Sequence, residues 1–206
     1  MSSKTLPISM ARSVAFASLA PARRVIAVGE RARELTMYVT ARAACEKRAV
    51  RIICGDNIFD PYAVSCFAKR VKVRPEDALR SIQVARAFTA YQLAELVNRL
   101  DSAAPHDLVV ISGPCSIFFD DDVPFVDAAR FFYRMLWRIA ELARSGMSLL
   151  LVQEKTPASA RRDYFLTDLC RACDVALLFG AVHTFKLEHH NRAAASRLAA
   201  LRSPDS

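Results

Sequence analysis

Short apolar runs, several rich in β-branched residues, alternate along the chain with helix-forming sequence. They are Arg24–Val28, Val50–Cys54, Ser81–Ala85, Asp107–Ser112, Ser148–Gln153 and Asp174–Phe179. Most are continuously apolar instead of alternating with polar residues, which suits strands covered on both faces. The intervening segments carry helical spacing: Leu35, Val39 and Ala43 within residues 31–48, and Leu93, Leu96, Val97 and Leu100 behind a Thr89 N-cap. Pro61 opens a further helix to Arg70, and a long helix over 124–144 stops at Gly146. This order predicts an α/β fold with a mainly parallel central sheet flanked by helices in three layers. Ala181–Leu187 is a candidate antiparallel edge strand, followed by an Ala/Arg-rich helix at about 190–202. No internal repeat and no second core is visible.

Glycine narrows the chemistry. The 206 residues contain only five glycines, and no two lie closer than 26 residues. An intact GxGxxG or GxxxxGKS/T phosphate loop needs glycines a few residues apart, so that backbone N–H groups can approach a phosphate; counting excludes both. Gly29, Gly55, Gly113 and Gly180 each stand just beyond the carboxyl end of an expected strand, the edge where open α/β sheets bind ligands. Glycine also ends strands in any fold, so the placement has a plain structural reading too.

The basic excess, 29 Lys+Arg against 21 Asp+Glu, is concentrated early: residues 1–29 hold Lys4, Arg12, Arg23 and Arg24 and no acid. Residues 1–23 are expected to be a flexible basic arm, with a mitochondrial presequence as the alternative. No apolar run reaches the ~18 residues of a membrane span. The chain is expected inside the cell, in the nucleus, cytoplasm or nucleoid. Of the six cysteines, Cys170-x-x-Cys173 invites a metal or redox reading, but His183, His189 and His190 complete no recognised zinc spacing. Packing near a helix end is the simpler account. No metal and no cofactor is expected.

Four segments carry a resemblance. Ser81-Ile-Gln-Val-Ala-Arg-Ala-Phe-Thr-Ala-Tyr-Gln-Leu-Ala-Glu-Leu contains an "ARAF" sequence where a strand hands over to a helix. Before it, Ile52-Ile-Cys-Gly-Asp-Asn-Ile-Phe-Asp-Pro stands where an "IDTEGTFRP" strand end would, and Pro75-Glu-Asp-Ala-Leu keeps its usual distance. Further on, Ala128-Ala-Arg-Phe-Phe-Tyr-Arg-Met-Leu-Trp-Arg-Ile-Ala-Glu is similar to the long helix after a Walker B strand. In this order, over residues 24–187, they resemble the core ATPase domain of RecA-superfamily recombinases, in the archaeal and eukaryotic branch and its paralogs. The resemblance implies a RecA-like core at 24–187 and a basic helix or tail at 188–206.

The nucleotide site that the resemblance implies is degenerate. Set against GxxxxGKS/T, Gly29-Glu-Arg-Ala-Arg-Glu-Leu-Thr36 keeps the first Gly and the final Thr36, but has Glu34 for the second Gly and Leu35 for the Lys. A carboxylate about 4 Å from a phosphate costs up to about 4 kcal/mol at an effective dielectric of about 20. The Walker B strand ends in Ser112 where the family places Asp, and Asp56 stands for the catalytic Glu. Gln153-Glu154 stands for the family's Asn-Gln sensor. These substitutions predict a fold that neither binds nor hydrolyses nucleotide.

Two other surfaces remain, one toward DNA and one toward a RecA-like subunit. Lys155, Arg161 and Arg162 in the loop over Glu154–Asp163 are candidate DNA contacts, with a solvated basic loop as the alternative. Phe16, in Ser13-Val-Ala-Phe-Ala-Ser-Leu-Ala20, departs from the family's Phe-x-x-Ala tether because Leu19 replaces the Ala; it is a candidate partner contact against a self-packed or disordered arm. Arg130, Arg134 and Arg138 share one face of the long helix and read as a solvated or partner-facing ridge. The expected function is a non-catalytic RecA-like paralog in recombinational DNA repair, paired with a recombinase or paralog subunit and in candidate contact with DNA. Two alternatives stand: an interaction module outside recombination, such as an accessory subunit of a mutagenic polymerase assembly, and a diverged metal-dependent hydrolase built on Asp56, Glu34 or Asp120–Asp122.

Overall fold

A computed structural model of the chain describes residues 2–19, 23–57, 59–100, 108–120, 122–154, 162–180 and 184–190. The central six strands are β2 (Arg24–Val28), β3 (Val50–Cys54), β4 (Ile82–Arg86), β5 (Leu108–Ser112), β6 (Ser148–Gln153) and β7 (Val175–Phe179). All pair in parallel, in the order β7-β2-β6-β5-β3-β4. Two further strands, β1 (Ser2–Pro7) and β8 (Thr184–His189), extend the β7 side antiparallel, giving β1-β8-β7 at that edge.

Side-chain alternation explains why the inner strands β2, β5 and β6 are almost continuously buried, whereas β4, at the edge, is partly exposed. Ile26, Val109, Ile111, Leu149 and Leu151 face one core, together with helices α5 (Ala90–Asn98), α6 (Phe125–Arg144) and α7 (Asp163–Ala172). Val25, Ala27, Leu108, Val110, Leu150 and Val152 face the other, with α1 (Ala11–Ser18), α2 (Ala32–Cys45), α3 (Pro61–Arg70) and α4 (Pro75–Arg80). The fold is α/β, helices covering both faces of a mostly parallel sheet. Among the described residues no helix is long and apolar enough to cross a membrane.

Local sequence sets the helix ends. Asp60 accepts hydrogen bonds from the Tyr62 and Ala63 N–H groups, with Pro61 at the first helical position. Thr89 accepts from Gln92 N at 3.1 Å while Gln92 Oε1 accepts from Phe88 N at 2.9 Å, a reciprocal cap close to the capping box. Gly146, at φ +100°, closes α6: its N–H bonds to Ala143 O and that of Met147 to Leu142 O, the two bonds of a Schellman motif.

The flexible arm expected over residues 1–23 is corrected by the structure. β1 pairs with β8 from Ser2↔His189 to Pro7↔Thr184, so the sheet begins before residue 24 and runs past residue 187. After it, α1 lies on α2 through Ala11, Ala15 and Leu19, whose four-residue spacing aligns them on one face. Two cation–π contacts fix this packing: the Arg12 guanidinium lies 5.1 Å from the Tyr38 ring centroid and that of Arg42 3.9 Å from Phe16. Residues 191–206, where the terminal helix was expected, lie outside the described residues.

Arg24 also has a different role from a solvated arm charge. Its guanidinium meets the Asp174 carboxylate at 3.1 Å, both side chains being about 6% exposed, and its backbone N–H donates to Asp174 Oδ2 at 2.9 Å. In return Asp174 N donates to Arg24 O at 2.8 Å, which fixes β7 against β2 at their amino ends. Removing one partner of such a buried pair leaves an uncompensated charge. Asp174→Ala is expected to lose about 3–5 kcal/mol, read as a lower urea midpoint with an unchanged slope. Lys72 ends α3 at φ +60°, a conformation that glycine adopts without penalty. Lys72→Gly is expected to raise stability by about 1 kcal/mol in the same experiment.

Candidate functional site

The carboxyl ends of β2, β6, β5 and β3 lie side by side, and the residues singled out by the degenerate motifs meet there. At β2, Gly29 turns the chain at φ +109°, with its N–H bonded to Gln153 O at 2.9 Å. A Cβ at this position would sit 2.6 Å from Phe179 O, so the strand end passes too close to β7 for any other residue. Ala32 N then bonds to Gly29 O, and α2 begins at once.

The early start of α2 decides what this segment is. Only Gly29, Glu30 and Arg31 separate strand from helix, and the residues aligned with the rest of a phosphate loop form the first turns of α2. Leu35 is buried in the core with its N–H bonded to Arg31 O at 3.3 Å. Thr36 is buried as well, and its hydroxyl donates to Ala32 O at 2.7 Å. Glu34 lies on the rim of a cleft of about 380 Å³, with Arg12, Arg31 and Ile8, over a floor of Leu35 and Phe179. One wall of that cleft is therefore the chain's own N-terminal segment. Residues 32–36 are thus the opening of α2, with Ala32 N bonded to Gly29 O and Leu35 N to Arg31 O, and not an extended loop.

Between β3 and β5, Ser112 Oγ donates to Asp56 Oδ2 at 2.7 Å and Gly55 N to Ser112 O at 2.7 Å. The two strand-end turns are pressed together: a Cβ on Gly113, at φ +64°, would lie 2.6 Å from Asp56 Cβ, and one on Gly55 2.7 Å from Gly113 O. Serine at 112 thus does what an aspartate could not, because it donates to the neighbouring carboxylate where a second carboxylate would repel it.

Gln153 organises the next junction. Fully buried, it accepts from Cys115 N at 2.9 Å through Oε1 and donates from Nε2 to Ser116 Oγ at 3.1 Å. This holds the loop after β5 against the end of β6, and Phe118 from that loop packs edge-on against Phe132 at 5.4 Å. Burial pushes the Cys115 thiol well above its ordinary range.

Arg162, expected at a DNA-facing loop, is 4% exposed. Its guanidinium donates to Phe118 O and Val123 O, both at 2.8 Å, so it ties the loop after β5 to the start of α7. That geometry aims the charge inward, away from any phosphate outside. Lys155 and Arg161 lie outside the described residues. Phe16 is partly buried against its own α2 under Arg42.

Asp120 is exposed and accepts from Asp122 N in a local turn; Asp121 is outside the described residues. Among the described residues no group of three His, Cys, Asp or Glu side chains could hold a metal ion. Burial raises the Cys170 thiol to about 12 and pushes that of Cys173 up as well, which suits packing at the end of α7 and not a reactive thiolate. Sequence reasoning missed the pairing of Ser112 with Asp56 and the clamp made by Gln153, because partners 56 and 38 residues apart leave no local signal. No protein-family model and no curated protein matches the chain.

Chemically, the edge is a set of polar groups directed at one another. Ser112→Ala is expected to cost about 1–3 kcal/mol by removing a hydrogen bond to a charged group. In Ser112→Asp two carboxylates would face each other, so one keeps its proton to a higher pH than in the unfolded chain. That variant's stability deficit should therefore grow as pH rises from about 4 to 7, and by more than the deficit of Ser112→Ala, which carries no added carboxylate; urea titrations at both pH values check this.

Proposed function

We propose that the chain is a non-catalytic, RecA-like accessory subunit of recombinational DNA repair that pairs with a recombinase or another RecA-like subunit. The observation that carries this reading is the convergence at one sheet edge. Segments assigned separately by the resemblance, at 29–36, 56, 112 and 153, come together along β2, β6, β5 and β3, as parts of one site should. Yet each has exchanged its nucleotide chemistry for an internal bond: a helix at Ala32–Thr36, a hydroxyl on Asp56, an amide on the Cys115 loop. The scaffold is retained and the nucleotide site is closed.

A pairing surface is left open at the other side of the sheet. Among the described residues β4 is bonded only on its β3 side: Ser81 O and Ala87 N both bond to that strand, so the backbone groups of Ile82, Val84 and Arg86 face outward. Such an edge is a template for a strand from another chain. Val84 is exposed, and Phe88 just beyond the strand is 70% exposed. A cleft of about 350 Å³ between β4 and α5, lined by Gln83, Val84, Leu96 and Arg99, would receive side chains of the added strand. DNA contact, in this reading, falls to Lys155 and Arg161.

Calorimetry with ATP and Mg²⁺ is expected to give no heat of binding; tight binding would overturn the closed-site reading. Affinity capture from the native cell, with the captured proteins identified by mass spectrometry, should return a RecA-like repair protein. Val84→Pro removes an outward N–H and leaves the ladder to β3 intact, so it should fold and lose that partner. Capture of no repair protein, together with no salt-sensitive DNA binding, would overturn the proposal.

A further inference from the structure

The outward face of α6 is a second surface, on a different side of the molecule from the nucleotide-site residues and built of different chemistry from the β4 edge. At 100° per residue, Val126, Arg130, Arg134, Trp137, Glu141 and Arg144 fall within an arc of about 80°. They run about 27 Å along the helix at 1.5 Å per residue. Val126 is 77% exposed and Trp137 39%, large apolar groups on a helix whose opposite side is fully packed. Beside them Tyr91, 56% exposed on α5, stands edge-on to Phe131 with ring centroids 5.7 Å apart.

Charge on this face is unbalanced in a definite way. Its acids are already engaged: Asp127 with Arg130 at 3.1 Å, Glu141 with Arg138 at 3.0 Å, and Glu95 with Arg99 at 2.9 Å. Arg138 is further fixed by donating to Leu100 O at 2.6 Å, and the Arg130 guanidinium lies 4.9 Å from the Phe131 ring centroid. Arg134 and Arg144 are exposed and have no acidic partner among the described residues. The net positive charge of the face thus sits at two points about 15 Å apart along α6, with Trp137 between them. Trp, Tyr and Arg are also the residues that dominate binding energy at protein interfaces.

We propose that this face docks an acidic amphipathic helix of a partner protein. The complement it requires is an apolar stripe to cover Trp137 and Val126, with carboxylates about three helical turns apart to meet Arg134 and Arg144. An α-helix supplies both at a straight, matching pitch, and its acids neutralise the two arginines that have no acidic partner among the described residues. This inference is independent of the pairing at β4.

The test uses the full chain and a labelled 18-residue peptide with Leu at i, i+3, i+4 and i+7 spacing and Glu at the other positions, beside the same peptide with Lys for Glu, and oligo(dT). Trp137 is the chain's single tryptophan, so its emission reports the site directly. The acidic peptide should bind saturably in low salt, shift Trp137 emission to the blue, and weaken as salt rises. Arg134→Glu and Arg144→Glu should each weaken binding about five-fold or more, and Trp137→Ala about ten-fold, the latter read by peptide anisotropy. The double arginine variant should gain affinity for the Lys peptide, a result that no folding defect would produce. Val84→Pro should leave all of this unchanged, which separates the inference from the pairing at β4. No saturable binding of the acidic peptide, equal binding of the Lys peptide by the unaltered chain, or tighter binding of oligo(dT) at Trp137 would overturn it.

Discussion

Burial of a parallel sheet on both faces is the constraint from which the rest follows. The strands β7-β2-β6-β5-β3-β4 are joined by crossovers, and each crossover places a helix on one face or the other. Each residue of the inner strands then needs an apolar neighbour whichever way it points, as Val25 and Ile26 or Val110 and Ile111 show. Polar chemistry is thereby confined to the rims. The carboxyl rim collects the strand-end glycines, Asp56, Ser112 and Gln153; the amino rim holds the Arg24–Asp174 pair.

The carboxyl rim is crowded and bonded to itself. A rim that opens to bind a phosphate leaves N–H groups unpaired until the anion arrives. Here those groups are already bonded: Gly29 N to Gln153 O, Gly113 N to Val152 O, Cys115 N to Gln153 Oε1. The turns at Gly55 and Gly113 approach so closely that a single methyl group would separate them. Such a rim has these strand-end N–H groups satisfied from within the chain, which leaves the β4 edge and the outer face of α6 as the surfaces on which the two proposals rest.

Much of the fold is legible in the sequence where the signal is local. Val50–Cys54, Ser148–Gln153 and Pro61–Arg70 have the bounds that their composition and the Asp60–Pro61 cap dictate. Helical periodicity in Leu35, Val39 and Ala43 describes residues 32–45 better than a motif alignment that treats 29–36 as a loop. What the sequence conceals is non-local. Arg24 and Arg162 look like solvated charge until partners 150 and 44 residues away bury them. β1 and α1 are concealed differently: the Ser- and Ala-rich composition of a tail also suits a helix that must lie close on α2.

The pairing of β1 with β8 has a kinetic side. Residues 2–7 are synthesised roughly 180 residues before the strand that completes their ladder, 184–189. Through that interval the N-terminal strand has a free edge and nothing of its own to bond. At about 5–20 residues per second this is a window of roughly 10–40 seconds, long enough for a chaperone or a nascent partner to take the strand first. The β1–β8 hydrogen bonds cannot form until almost all of the described sheet has been made.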